Sequence, residues 1–404
     1  MRLIKNAMII EDDGFVKKDI LSDDRTILKI QDYIQETDGW DILDVKGAYL
    51  LPGLIDLNVR LANNILSKSN LEKLVNSARK GGVTTAVIMS DFTPRLDSST
   101  LLDFLNSTFD NTIINLKVTA PLTNEKNDKL NNIATLLNNG ATAIYGLSSL
   151  NSNIIKRGMQ YAHMKEKPLF CFCYEPDLDD VGIMNEGAIS SKLGLSGISK
   201  SSETVEVAKI AELSIEQHAP IVFQTLSTQR SLEIVQNVKK YATQMYSEVS
   251  IHHLIKNDTS CDGFNTYAKI LPPLREEEER VRLVKEAKKG TIDILTSSHA
   301  PKSVLYKDVA FCDADFGMGS IEEFFSLAYT YLVKQEGLPM CDLIRMCSEN
   351  PAKVLNFEKK GKIKVGYDAD MFLFDANKKS IMKNEFSIYN NETLYGKITN
   401  VFVA

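Results

Sequence analysis

Histidine is scarce in this chain: 404 residues hold five, at His163, His218, His252, His253 and His299. Neutral imidazole is a principal nitrogen ligand of transition metals, so this supply constrains any histidine-rich metal centre. Cysteine is also sparse. Six residues in a chain of this length do not make a disulfide framework. Cys171 and Cys173 have C-x-C spacing, but they alternate with Phe170 and Phe172 in a run that reads as a buried strand. That pattern predicts buried free thiols and not a redox or soft-metal pair. No apolar run approaches the roughly 20 residues that span a bilayer. The apolar stretch within residues 1–6 is too short for a signal peptide, so a cytoplasmic location is expected. Basic excess is missing as well. The net charge of −6 disfavours a nucleic-acid partner and supplies no polybasic membrane patch.

What is present is ample apolar material, 44% of residues, with 25% charged. This suits one large α/β barrel with a small attached domain, or two or three ordinary domains. Strand-like runs open the chain at Met8-Ile9-Ile10, Thr26-Ile27-Leu28-Lys29-Ile30 and Ala48-Tyr49-Leu50-Leu51. Similar runs close it at residues 361–366, 370–375 and 398–403. Both ends together predict one small β-domain, formed by residues 1–50 and 351–404. Across 51–350, buried-strand runs such as 82–89, 168–173 and 219–225 follow helical segments such as 71–80, 154–166 and 202–217. Repeated βα units imply a parallel sheet, and their number favours a closed barrel, whose chemistry sits at the C-terminal strand ends.

Several motifs, in order, resemble those of the dihydroorotase family of cyclic amidohydrolases. Leu51-Pro52-Gly53-Leu54-Ile55-Asp56 resembles the entry to its first barrel strand. Gly182-Ile183-Met184-Asn185-Glu186-Gly187 and Leu193-Gly194-Leu195-Ser196-Gly197-Ile198 resemble its middle region. Tyr267-Ala268-Lys269-Ile270-Leu271-Pro272-Pro273-Leu274-Arg275 and Ser297-Ser298-His299-Ala300-Pro301 resemble the approach to, and end of, its last strands. Glu349-Asn350-Pro351-Ala352-Lys353 resembles its C-terminal signature. The resemblance implies a distorted TIM (β/α)8 barrel of the amidohydrolase type with a small composite β-sandwich domain from both termini. It also implies a zinc-bound hydroxide that opens or closes a dihydropyrimidine ring.

The positions that would hold the zinc depart from the family pattern. Where the first strand should supply His-x-His, the chain has Asn58 and Arg60. Gly146 stands in the turn matching the fourth-strand acid or modified lysine. Phe172 and Thr225 stand at the histidines of the fifth and sixth strands, and Ser298 at the aspartate of the eighth. Guanidinium only donates and cannot bind a divalent cation. The expectation is therefore no metal, no cofactor and no catalytic residue. Substrate contacts are altered too: Ala62, Leu271 and Lys302 replace an arginine, an asparagine and a histidine.

Arg60, Glu175, His252, His253, His299 and Lys302 are the candidate pocket residues, with Arg60 expected to pair with Glu175 or another pocket acid. His252, His253 and His299 read mainly as hydrogen-bonding or packing residues, and His163 and His218 as surface or packing residues on helices. The acidic run 275–280 reads as a solvated helix start, since acids favour that end of the helix dipole. The expected function is an inert dihydroorotase-like barrel of pyrimidine biosynthesis, a homo-oligomer and a structural or regulatory partner of aspartate carbamoyltransferase, as the resemblance implies. Two alternatives stand beside it. One is an active dihydroorotase or other cyclic amidohydrolase with a remodelled metal site. The other is a sensor binding a small anion near Arg60, Lys302 or His299.

Overall fold

A computed structural model describes residues 1–404 except 13, 111, 242 and 243. The N-terminal strands are β1 (Arg2–Glu11), β2 (Gly14–Ser22), β3 (Ile27–Gln31), β4 (Asp41–Asp44) and β5 (Tyr49–Pro52). The barrel follows with β6 (Leu54–Val59), β7 (Val83–Ile88), β8 (Asn115–Val118) continued by β9 (Ala120–Pro121), β10 (Ile144–Leu147) and β11 (Leu169–Phe172). A small parallel pair, β12 (Met184–Asn185) and β13 (Gly197–Ile198), lies outside it. The barrel resumes with β14 (Ile221–Gln224), β15 (Met245–Ser250) and β16 (Ile294–Thr296). The chain ends on the hairpin of β17 (Met371–Ile381) and β18 (Thr393–Phe402).

Parallel pairing runs β6-β7-β8 and β9-β10-β11-β14-β15-β16. A bridge from Val59 to His299 closes the ring, with the Arg60 amide donating to the His299 carbonyl at 2.7 Å. Every residue of β6, β7 and β14 is buried, as strands covered on both faces require. Ile55, Leu57, Val87, Tyr145, Phe170 and Val222 fill the interior, sealed at the N-terminal strand ends by Ala352, Val354 and Leu355.

The covering helices begin with α1 (Lys68–Lys80), where the sequence logic is plain. The Ser67 hydroxyl caps it by accepting from the Asn70 amide at 3.2 Å. Leu71, Leu74, Val75 and Ala78 fall on one face and are buried. The helices α2 (Ser99–Phe109), α3 (Ile133–Asn138), α4 (Ser152–Lys165), α5 (Ala188–Leu193), α6 (Ser201–Gln217), α7 (Gln229–Lys239), α8 (Ile251–Ile255) and α9 (Glu277–Lys289) follow. Among the described residues no helix is long and apolar enough to cross a membrane.

The two termini share one sheet, ordered β18-β17-β5-β1-β2-β3 with β4 beside β1. Its core includes Ile4, Ile9, Ile20, Leu50 and Met371. One expected strand is absent: residues 361–366 form turns. Gly361 and Gly366 adopt φ of 83° and 86°, a left-handed backbone that interrupts a strand, while Ile363 still packs on the sheet core.

Candidate active site

Arg60 follows β6 directly, so the barrel presents it at the C-terminal mouth. Its Nε donates to Asp91 Oδ2 at 2.7 Å, Nη1 to Asn58 Oδ1 at 2.7 Å and Nη2 to the Tyr145 hydroxyl at 3.2 Å. Burial works against its charge, and Asp91 and Tyr145 more than offset that, holding it above the usual guanidinium range. Burial, then the nearby Asp91 charge, pushes the Tyr145 phenol up to about 12, so it stays a neutral hydroxyl. Asp91 Oδ1 is buried and accepts no hydrogen bond from the described residues.

Below this group Asn58 turns its amide away from the mouth. Its Nδ2 donates to Glu248 Oε1 at 2.7 Å and to Thr225 Oγ1 at 2.8 Å. Thr296 Oγ1 also donates to Glu248 Oε1, at 3.0 Å. Side chains from six barrel strands and the loops after them are thus tied into one polar network. Thr225 and Ser298 lie just past β14 and β16 with φ of 52° and 49°. For a β-branched residue that conformation costs on the order of 1–3 kcal/mol, held here by the surrounding structure.

Burial raises the Glu248 carboxyl to about 7 and the Asp56 carboxyl to about 6. Between its ordinary value and about 7, folded Glu248 keeps a proton that the unfolded chain has released. Its contribution is therefore complete below the ordinary value and is lost as pH climbs through about 7. Asp56 acts in the same sense. Buried His252, His253 and His299, pushed down to about 3, 4 and 3, act in the opposite sense: their contribution is present above the imidazole value and lost as pH falls through the folded values. Glu248→Gln isolates one term. It should flatten the stability–pH curve relative to the parent by on the order of 2–3 kcal/mol between about pH 5 and pH 8. Denaturant titrations at both ends check this, and parallel curves for parent and variant would dismiss it.

A cavity of about 360 Å³ opens above the network. Arg60, Phe172, His252, Ser298 and Lys302 line it, together with Asp91, Tyr145 and Leu271. Lys302 Nζ pairs with Asp315 at 3.2 Å. His252 is held by the Tyr389 hydroxyl, 2.8 Å from Nδ1. The other expected pocket residues lie elsewhere. Among the described residues Glu175 pairs with no arginine; its Oε1 accepts from the Asp177 amide at 3.2 Å. Asp91 takes the partnership expected of it, because β7 ends beside Arg60 whereas Glu175 has entered a turn capping Pro176–Leu178. His253 Nε2 lies 3.1 Å from the Pro272 carbonyl. His299 Nδ1 accepts from the Ser320 and Ile321 amides at 3.0 and 3.3 Å, which ties down the loop that follows. His163 Nδ1 lies 3.0 Å from the His218 carbonyl on the outer face.

The run 275–280 starts a helix as expected, yet it is not wholly solvated. Arg275 and Glu279 are buried. Arg275 donates to Ser227 Oγ at 2.9 Å, Asn185 Oδ1 at 3.1 Å and the Ile198 carbonyl at 2.8 Å. It thereby binds the two middle motifs to the loop after β14.

Asp91, Tyr145 and Glu248 escaped the sequence reading. Glu248 left a signal, a lone acid in an otherwise buried strand. Asp91 and Tyr145 left none beyond their places at strand ends.

The residues present do not fit the zinc that the resemblance implies. Among the described residues no group of three or more His, Cys, Asp or Glu side chains is placed to hold a metal. Arg60 brings a fixed cation and Asn58 turns N–H donors onto Glu248. At Gly146 a Cβ would lie 2.7 Å from Leu122 Cδ2 and 3.1 Å from Leu122 Cβ, so a ligating residue there would require Leu122 to shift. Cys171, Cys173, Cys261 and Cys347 are buried thiols, and burial pushes Cys173 well above the usual thiol range.

Residues 47–218 match the family model of dihydro-orotase-like proteins, and residues 183–404 that of the amidohydrolase family. A dihydroorotase of Ruminiclostridium cellulolyticum is 33% identical over 98% of this chain and 95% of its own length. One of Elusimicrobium minutum is 34% identical over 95% and 90%. Among solved structures, an L-hydantoinase (dihydropyrimidinase) from Arthrobacter aurescens superposes with a TM-score of 0.88 at 18% identity, covering 100% of this chain and 94% of that one. A D-hydantoinase (dihydropyrimidinase) from Thermus sp. gives 0.86 at 21%, over 100% and 94%. The hydantoinase likeness is one of fold, and it agrees with the expected amidohydrolase-type barrel. The relatives overturn one expectation. Near-full-length similarity to proteins named dihydroorotase does not support an inert barrel serving as a structural partner of aspartate carbamoyltransferase. That expectation gave the missing ligands more weight than the similarity of the whole chain.

Proposed function

Because the chain belongs to the dihydroorotase family of amidohydrolases, we propose that it hydrolyses a cyclic amide of the dihydropyrimidine class in the pocket at the barrel mouth. The observation that carries this reading is the 33% identity with a dihydroorotase over 98% of the chain. The cavity lies where barrels of this kind place their chemistry.

Opening such a ring adds water to the carbonyl carbon, breaks the ring C–N bond and leaves a carboxylic acid and a protonated nitrogen. Arg60 and the Tyr145 hydroxyl are the donors for the carbonyl oxygen as it gains charge. Asp91 Oδ1, which accepts no hydrogen bond from the described residues, is the acceptor for the proton of the attacking water and returns it to the leaving nitrogen. Lys302, paired with Asp315, places a second cation at the wall for an acidic substituent on the ring.

Incubation of the purified chain with dihydroorotate, followed chromatographically, tests this. Ring opening is expected, and Asp91→Asn should slow it by about 10²-fold or more. Absence of turnover on dihydroorotate and on the related rings dihydrouracil and hydantoin would overturn the reading.

A further inference from the structure

We infer that the Arg60 guanidinium is the resident cation of this barrel, standing in for a dissociable metal ion, so that the mouth takes up no divalent cation. Three features of the geometry carry this. Arg60 is anchored on three sides, by Asp91, Asn58 Oδ1 and Tyr145. A guanidinium has five N–H groups; three of them are engaged in these bonds, which leaves two for a ligand oxygen in the cavity that Arg60 lines. The acid nearest to Arg60 is neutralised by it, and Glu248 is saturated on Oε1 by Asn58 and Thr296. Among the described residues that line the cavity Asp91 is the sole carboxylate, and its open Oδ1 belongs to a group whose charge Arg60 already balances.

A covalently held charge differs from a bound metal in a measurable way. It cannot be stripped by a chelator, and it repels an incoming ion. The residues alone support this, whether or not a ring is opened.

The test uses the full chain purified without added metal. Elemental analysis is expected to find substoichiometric zinc, nickel, cobalt and manganese. Dialysis against a chelator followed by zinc chloride should leave the melting temperature unchanged, since only a species that binds the folded state raises it. A full equivalent of tightly held zinc, with a rise of several degrees in melting temperature, would overturn the inference. Arg60→Met provides a second arm: removing the cation exposes Asp91, so the variant should gain weak zinc binding by calorimetry that the parent lacks. Equal zinc binding by parent and variant would count against Arg60 as the excluding charge. Turnover of dihydroorotate that disappears on chelation and returns with zinc overturns this inference and leaves the hydrolase reading standing. Absence of turnover while zinc is still refused overturns the hydrolase reading alone.

Discussion

Replacing Arg60 with leucine is expected to destabilise the chain by about 2–4 kcal/mol and to abolish ring opening together. The loss is set by what remains behind. Asp91 would keep its charge without its cation, and Asn58 Oδ1 would lose its donor. Fully buried pairs cost more to break, but the Arg60 and Asp91 side chains keep 17% and 23% of their exposure, so water recovers part of the penalty. The double variant Arg60→Leu, Asp91→Leu should recover a substantial share of the loss, because neither charge is then stranded. Arg60→Lys keeps the charge but not the planar fork that spans Asp91, Asn58 and Tyr145, so it should retain folding better than activity. Denaturant titration of the four proteins checks this. A loss below about 0.5 kcal/mol for Arg60→Leu would mean that the network carries no more than a surface ion pair.

A second large effect is expected away from the cavity. Glu203 is buried on α6 and accepts from the Ser227 and Thr228 amides and from the hydroxyls of Ser227, Thr228 and Ser231. It caps α7 from a neighbouring helix, with Arg275 Nη2 3.9 Å away. Glutamine at position 203 would offer one acceptor and turn its amide N–H groups toward donors. Glu203→Gln should therefore cost about 3–5 kcal/mol, and Arg275→Met a similar amount, since each leaves a buried partner unsatisfied. The two side chains are only 3% and 2% exposed, so little solvent relief is available. Calorimetry on each variant, with zinc uptake and ligand binding measured beside it, separates this scaffold role from the mouth. A variant that melts like the parent would sink it.

The Arg275 cluster also shows why the family resemblance was legible. The motifs at 182–187, 193–198 and 267–275 are far apart in the chain, yet Arg275 reaches Asn185 and Ile198 directly. Such strings mark a scaffold, and the scaffold was read well from them. Reactivity was read less well. Residue chemistry alone makes Asn58, Arg60 and Thr225 expected non-ligands. What they do instead depends on contacts such as Asn58 to Thr225, which are separated by 167 positions. Equating absent ligands with absent function was the step that the relatives reversed.

Apolar periodicity, helix caps and turn residues act over a few neighbours, so the barrel, its order of elements and the shared sheet of the two termini were written in the chain itself. The partners of a charge are chosen across strands, by which side chains converge once the ring has closed. That convergence gave Arg60 to Asp91 and not to Glu175, buried Glu248 until it holds its proton near neutrality, and packed Leu122 against Gly146. Coulomb and desolvation energies depend on distance and burial in three dimensions, and neither quantity exists along a linear sequence.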